Sequence, residues 1–449
     1  MRSKQVTRRA FGTSTLAAGI ALPYLGSRRA LARPGAVGAN DRVRMAVIGA
    51  GGRARQLISE SPQGVELVSI ADCFLPKAPV LATFAAKRRP DLCPNADRVA
   101  VYQDYRRMFD EEKLDAVLVP TTTHARALCC IHALQAGLDV YAEKPISLTI
   151  DEGRVLIEAV RKYERILQVG TQHRSLDVNR WACALVRGGA IGKIEKVVCM
   201  NYEGPIDWTP KPGQPVPAGL DWDHWCNQAE LRPYHPRLGA HRHGVGGEAW
   251  NFWRAYDGGG QSWGMTGWGT HAFDQVQWAL GQDHTSPTEV WPVNPGDPLS
   301  PVTMKYASGD VIEIKLPIKT DKGPGLGGIF IGTDGKIEIN RNKVASNPPE
   351  LVADAPTPEI RQHDYRSSLA ENHLQNWVDC IRSRQEPNCP VEVGHRQAVI
   401  CHLANIARDL GRQLRYDPKA DRFVDDEEAN RHVSVSRPRR KGYELPPII

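Results

Sequence analysis

The sequence predicts an α/β protein in which an N-terminal parallel sheet, covered by helices on both faces, precedes an α+β domain with a mostly antiparallel open sheet. Three observations predict this. Between residues 43 and 170, short apolar runs (VRMAVIG, VELVSIAD, DAVLVP, DVYAEKP, ILQVG) alternate with helix-length amphipathic stretches, the pattern of βαβ units. Runs that are apolar throughout belong to strands buried on both faces. Beyond Gly170 the strand-like runs VTMKYAS, DVIEIKLP and GGIFIGTDGKIEIN follow, the last with Asp334-Gly335 as a hairpin turn. Finally, 449 residues with 41% hydrophobic content exceed what one core usually organises, so two domains are expected.

The chain divides into residues 1–32, 42–170, 171–417 and a tail, 418–449. The first segment reads Thr7-Arg8-Arg9-Ala10-Phe11, then a modest apolar run and Ala30-Leu31-Ala32. A basic start, a run too short to span a bilayer and an A-x-A site describe an export signal. The paired arginines ahead of Phe11 resemble the twin-arginine type, whose cargo crosses the membrane already folded. That segment carries Arg2, Lys4, Arg8, Arg9, Arg28 and Arg29 and no acid, so its removal takes the formal charge from +6 to zero. A near-neutral mature chain without a lysine run argues against nucleic acid or an anionic membrane surface as partner. The ten cysteines include no C-x-x-C pair, and a protein folded in a reducing compartment is expected to keep them reduced and mostly buried.

Within residues 42–170, Gly49-Ala50-Gly51-Gly52-Arg53-Ala54 ends the first strand and opens a helix. This is the setting of a Rossmann dinucleotide fingerprint: Gly49 allows the tight turn, Gly51 lets backbone approach a pyrophosphate, and Ala54 keeps the third position small. Asp72 ends the second strand about 20 residues on, where a carboxylate accepts hydrogen bonds from the adenosine ribose and disfavours a 2′-phosphate. NAD is therefore expected rather than NADP. Thr149-Ile150-Asp151-Glu152 reads as a capping box opening the helix through Tyr163. Further on come a helix at 177–187, a Pro-, Gly- and Trp-rich irregular segment at 205–260, and closing helices at 368–384 and 393–410.

The fingerprint, Glu143-Lys144-Pro145, Gly170-Thr171-Gln172-His173-Arg174-Ser175 and the stretch from Gly258-Gly259-Gly260 to Trp268-Gly269-Thr270-His271 together resemble the glucose–fructose oxidoreductase / inositol dehydrogenase / MocA family over residues 42–417. LDWDHW at 220–225 and the segment GHRQAVICHLANIARDLGRQLRYDP resemble its exported, sugar-directed members. The resemblance implies that Lys144 lies between nicotinamide and a substrate hydroxyl, where an ammonium stabilises charge developing on the carbinol oxygen. It implies His271 as general base, with Asp274 one helical turn on to orient its ring. It also implies Thr121 and His124 on the nicotinamide side, although Thr122 or Thr123 could simply cap that helix. Gln172 and Arg174 would meet polyol hydroxyls. Trp268, with Trp208, Trp222, Trp225 and Trp263, would stack on sugar faces or pack in the core. A homodimer or homotetramer is implied as well.

One position departs from the family pattern. Members place an aspartate four residues before the histidine; this chain has Gly267. Either His235, His241, His243, Glu248 or Asp257 from the irregular segment supplies the missing group, or the chemistry differs, or the glycine leaves room for a bulky ligand. No metal is expected, since His241 and His243 lack further ligands at a metal-binding spacing. The expected function is exported, NAD-dependent oxidation of a carbon–hydroxyl on a sugar, glycoside or cyclitol. The alternatives are a glycosidase or lyase working through transient sugar oxidation by retained NAD, and a non-catalytic sugar-binding protein.

Overall fold

A computed structural model describes residues 42–238, 250–317, 324–356, 368–434 and 440–447. The proposed export signal, His241, His243 and Glu248 lie outside the described residues. In the first domain β1 (Val43–Ile48), α1 (Gly52–Glu60), β2 (Val65–Ala71), α2 (Lys77–Arg88), β3 (Ala100–Tyr102), α3 (Tyr105–Glu111), β4 (Ala116–Val119), α4 (Thr123–Gln135), β5 (Asp139–Ala142), α5 (Ile150–Tyr163) and β6 (Leu167–Val169) alternate. Their six-stranded sheet has the order β3-β2-β1-β4-β5-β6, and every pairing is parallel. β4 and β5 are buried at every residue, as strands covered on both faces must be. At the start of α5, Thr149 Oγ1 accepts from the Glu152 amide at 3.2 Å, as in a capping box, while Glu152 Oε2 accepts at 2.9 Å from the amide of Leu148, one residue before the cap.

The second domain begins with α6 (Asp177–Arg187) and β7 (Ile194–Met200) and continues through the irregular segment, which holds the short α7 (Trp222–Cys226). A single π turn, Met265–Gly269, leads into α8 (Thr270–Leu280). Then come β8 (Glu289–Pro292), β9 (Val302–Lys305), β10 (Val311–Leu316), β11 (Gly327–Gly332), β12 (Gly335–Asn340) and β13 (Lys343–Asn347). The chain closes with α9 (Ser368–Ser383), α10 (Val391–Leu410), β14 (Leu414–Asp417), β15 (Arg422–Phe423) and α11 (Glu427–Ser434). The nine-stranded sheet runs β13-β12-β11-β7-β10-β9-β8-β14-β15, antiparallel throughout except for β7 with β10. Its strands alternate buried and half-exposed residues, so one face carries the core. That face, through Val197, Ile312 and Phe330, packs on Phe273 and Val276 of α8 and on Leu403 and Ala404 of α10.

Two features differ from the expected layout. α9 returns to the first domain, where Trp377, 1% exposed, packs with Met45, Leu57, Ile70 and Tyr141. Residues 418–434 are no loose tail: β15 extends the second sheet, and Ala429 and Val433 of α11 join the second core. All ten cysteines are free thiols, nine of them buried.

Candidate functional site

The sheet order reverses between β1 and β4, and the loops leaving those strands face a cleft of about 510 Å³. Gly49 turns there with φ +98°, and a Cβ on it would stand 3.4 Å from the Thr121 Cα. Glycine is what this turn and this approach require. Gly51 and Gly52 face open space, and α1 starts with no side-chain cap and no acid in its first turn. Its N-terminal amides are thus left for an anion such as a pyrophosphate. Ala54 is fully buried, which explains why this position must be small.

Asp72 lines the same cleft. Its Oδ2 accepts from the Ala50 amide at 2.7 Å and its Oδ1 from the Phe74 amide at 2.8 Å, so it staples the glycine loop to the end of β2. Burial raises its pKa against the opposing pull of Lys77 and those amides. An uncapped helix, a loop that only glycine can make and a carboxylate with acceptor capacity to spare fit a dinucleotide. Asp72→Ala is expected to weaken NAD binding and narrow the preference over NADP. Titration of both cofactors measures this; two unchanged affinities would remove Asp72 from the site.

A second cleft, of about 360 Å³, shares Arg53, Pro120, Thr121 and Trp250 with the first. Lys144 and His271 both line it, together with Glu143, Gln172, His173 and Asp257. Lys144 Nζ donates to the Gly267 carbonyl at 2.9 Å. Burial lowers its pKa, with Glu143 and Asp257 acting in the opposite sense. Glu143 itself is tied to Arg53 at 2.6 Å; burial penalises its charge, yet Arg53 and Lys144 hold its pKa below the ordinary value. Arg126 donates to the carbonyls of Thr121, at 2.5 Å, and Pro145, joining the ends of β4 and β5 under the cleft.

His271 opens α8 with its ring stacked on His173, centroids 4.5 Å apart. Its pKa is pushed well below the usual value by burial first, then by His173 and Lys144, so the ring is neutral near pH 7. Its Nδ1 has no hydrogen-bond partner among the described residues. His173 Nδ1 lies 3.0 Å from the Gln275 side-chain amide, which can only donate through that nitrogen, and this fixes the His173 tautomer.

Residues 43–171 match the family model described as the NAD-binding Rossmann fold of an oxidoreductase family, and residues 193–445 match the same family's C-terminal alpha/beta domain. The chain belongs to the Gfo/Idh/MocA oxidoreductase family. Its first domain is therefore an NAD-binding Rossmann domain. Among curated relatives, levoglucosan dehydrogenase of Pseudarthrobacter phenanthrenivorans is 26% identical over 137 residues, 29% of this chain and 34% of that protein. The rhizopine catabolism protein MocA of Rhizobium meliloti is 24% identical over 249 residues, 55% of this chain and 59% of that protein. The chain thus spans from about a third to somewhat over half of these relatives. Among solved structures, the aldose-aldose oxidoreductase of Caulobacter crescentus superposes with a TM-score of 0.54 at 18% identity, covering 83% of this chain and 99% of that one. The WlbA dehydrogenase of Bordetella pertussis gives 0.55 at 15% identity, with 84% and 99% covered. These likenesses concern the fold.

Against the Gfo/Idh/MocA pattern, the structure corrects several assignments. Arg174 and Asp274 do not reach the cleft: Arg174 is buried, its Nε 2.5 Å from Asp274 and its Nη2 2.6 Å from Asp283. They form an internal ion pair between the segment after β6 and α8. Asp274 spends its Oδ1 on Arg174 and Gln397, not on the His271 ring. Trp268 packs against Trp263, ring centroids 4.1 Å apart, beside the second core. His124 is turned inward, its Nε2 2.8 Å from the Trp225 carbonyl and its ring between Trp225 and Tyr256. Thr121 and Gln172 do line the cleft. Trp222 and Trp253 belong to a small aromatic core of the irregular segment, with Trp208 packed against it.

Gly267 does not make room for a ligand. A Cβ there would meet the Gln261 carbonyl oxygen at 2.2 Å and the Gly260 carbonyl oxygen at 2.8 Å, and the residue does not line the cleft. Of the five candidates, Asp257 is a carboxylate that lines the cleft. It is buried, accepts from the hydroxyls of Thr123 and Thr266, and lies close enough to Lys144 to act on its charge. Burial raises the Asp257 pKa, while those hydroxyls oppose the rise. His173, Arg126 and Arg341 line the cleft without having been singled out from the sequence. A readable signal existed for Asp257, which immediately precedes Gly258-Gly259-Gly260. A Cβ on Gly260 would come within 2.7 Å of Asp257 Oδ1, and Gly259 has φ +96°, so the glycines let backbone wrap the carboxylate. Among the described residues no cluster of three or more His, Cys, Asp or Glu could hold a metal ion.

Proposed function

We propose that the protein is an exported, NAD-dependent oxidoreductase acting on a carbon–hydroxyl of a sugar, glycoside or cyclitol. The observation that carries this reading is the convergence of Lys144 and His271 on one cleft that adjoins the glycine-loop cleft through Arg53, Pro120, Thr121 and Trp250. Bound NAD supplies the hydride acceptor. The neutral His271 ring takes the hydroxyl proton of the carbinol. Lys144 gives one N–H to Gly267 and keeps two for the carbinol oxygen, whose developing charge it stabilises. Asp257 balances that ammonium, while Glu143 is committed to Arg53. Gln172, with its amide 3.3 Å from both Tyr141 Oη and Glu143 Oε1, sets the cleft floor. Relatives named for levoglucosan and inositol favour a ring carbinol as substrate class.

The test is a panel of sugars, glycosides and cyclitols added to NAD-loaded protein. Nicotinamide reduction by one class supports the reading; glycoside cleavage without net reduction, or inertness to the whole panel, contradicts it.

Export is proposed on Arg8-Arg9-Ala10-Phe11 and the Ala30-Leu31-Ala32 site. Export after folding suits a dinucleotide enzyme, whose cofactor must be loaded where it is made. Changing Arg8 and Arg9 together to lysine is expected to hold unprocessed precursor in the cytoplasm, as read by fractionation. A processed, exported product at normal yield would contradict it.

A further inference from the structure

The cofactor cleft has a wall that the Rossmann fingerprint does not supply. His224, Trp225 and Asn227, from the irregular segment of the second domain, line it together with the glycine loop. Their segment is stitched to the loop after β2. Leu220 bridges to Phe74, the Asp221 amide donates to the Cys73 carbonyl at 2.8 Å, and the Leu75 amide donates to the Gly219 carbonyl at 3.0 Å. Gln103 spans the join, donating to the carbonyls of Cys73 and Gly219 at 3.0 Å each. On the side of α3, His224 Nε2 lies 3.3 Å from Asp104 and 3.2 Å from the Arg106 guanidinium.

The chain's last described residues brace this wall. Arg440 pairs with the Asp223 carboxylate and donates to three backbone carbonyls: Asp223 at 2.7 Å, Asn227 at 2.9 Å and Ala229 at 3.0 Å. Tyr443 Oη donates to the other Asp223 oxygen at 2.7 Å, and its ring stands edge-on to His224, 5.8 Å away. Arg440 thus clamps both ends of the turn that presents Trp225 and Asn227 to the cleft. That turn is held in a costly backbone state, with Asn227 at φ 49° and ψ −123°. A lone surface ion pair contributes little, but a guanidinium satisfying one carboxylate and three carbonyls fixes a turn.

We infer that residues 219–229, braced by Arg440 and Tyr443, are a fixed wall of the cofactor site that slows release of the bound dinucleotide. The inference rests on the reading of the first cleft as the NAD site. Arg440 and Tyr443 are positioning residues: they touch neither the cleft nor the groups assigned to proton transfer.

The experiment loads the full-length protein with NADH, mixes it with excess NAD and follows nicotinamide fluorescence as NADH leaves. Arg440→Ala should speed dissociation roughly tenfold or more, the factor that about 1.4 kcal/mol of lost bracing produces. Tyr443→Phe, which removes one hydroxyl and spares the fold, should shift it in the same direction by less. The rate of a single turnover on protein already loaded with NAD, in which no cofactor leaves, should be unchanged in both. Wild type and both variants exchanging NADH at one rate would overturn the wall and leave the proton-transfer roles of Lys144 and His271 standing. A wild type that binds no dinucleotide would overturn both readings.

Discussion

Lys144→Ala is expected to lower turnover roughly 10²-fold or more, the usual scale for a positioned proton-transfer group, while NAD binding and melting temperature stay near wild type. The fold tolerates the loss because neighbouring charges keep other partners: Glu143 retains Arg53, and Asp257 retains the hydroxyls of Thr123 and Thr266. The pH profile should change in a defined direction. His271 must be neutral to accept a proton, and its pKa lies well below 6.5, so wild-type kcat/KM should fall only as pH drops through that lowered value. Lys144 is one of the cations that depress it, so the acid limb should move upward in the variant. The wild-type alkaline limb, where the Lys144 ammonium is lost below its ordinary value of 10.5, should disappear. Near-normal turnover with an unmoved acid limb would place the chemistry elsewhere.

Gly267→Ala should cost more than any conservative change elsewhere in the site. Its Cβ would lie 2.2 Å from the Gln261 carbonyl oxygen and 2.9 Å from the Gly260 carbonyl carbon, both backbone atoms that cannot swing aside. Overpacking of this kind costs about 1–3 kcal/mol. The strain falls on the π turn whose Gly267 carbonyl receives Lys144, so the misplaced acceptor should depress turnover as well. Gly267→Asp should show at least the same loss, and for the same reason: the added carboxylate has no space to approach His271. Thermal unfolding measures the first effect. The ratio of kcat/KM for a bulky glycoside and its monosaccharide measures whether substrate size matters, and it should not change. A Gly267→Ala protein with wild-type stability and activity would refute this account.

The parts of the site legible in the sequence are those where one strand end makes the feature by itself. The Gly49–Gly51 turn and Asp72 at the end of β2 depend on a strand and the few residues after it, so periodicity located them; Glu143-Lys144-Pro145 also follows a strand, β5, but only the family resemblance marked it as part of the site. Helix α6 lies at the residues that its pattern marked, Asp177–Arg187. The rest depends on packing between distant segments. Asp274 stands one turn from His271 in sequence, yet Arg174, 100 residues away, claims its carboxylate. Trp377 is an ordinary amphipathic-helix residue until α9 is seen crossing back to the first sheet. The cleft carboxylate Asp257 is carried by a segment without periodicity and placed by glycines whose role shows only in three dimensions. The end of the chain likewise reads as tail because one short strand and one short helix bury little surface alone; their partners are elsewhere.

The central claim is that Lys144 and His271 serve hydride transfer between a carbinol carbon and NAD held on the glycine loop. The most direct test is a single turnover with a sugar or cyclitol deuterated at the reacting carbon, followed by mass spectrometry of the dinucleotide released on denaturation. The account predicts one deuterium on the reduced nicotinamide from wild type and almost none from Lys144→Ala over the same interval. Product formed by wild type with no deuterium on the dinucleotide would contradict it.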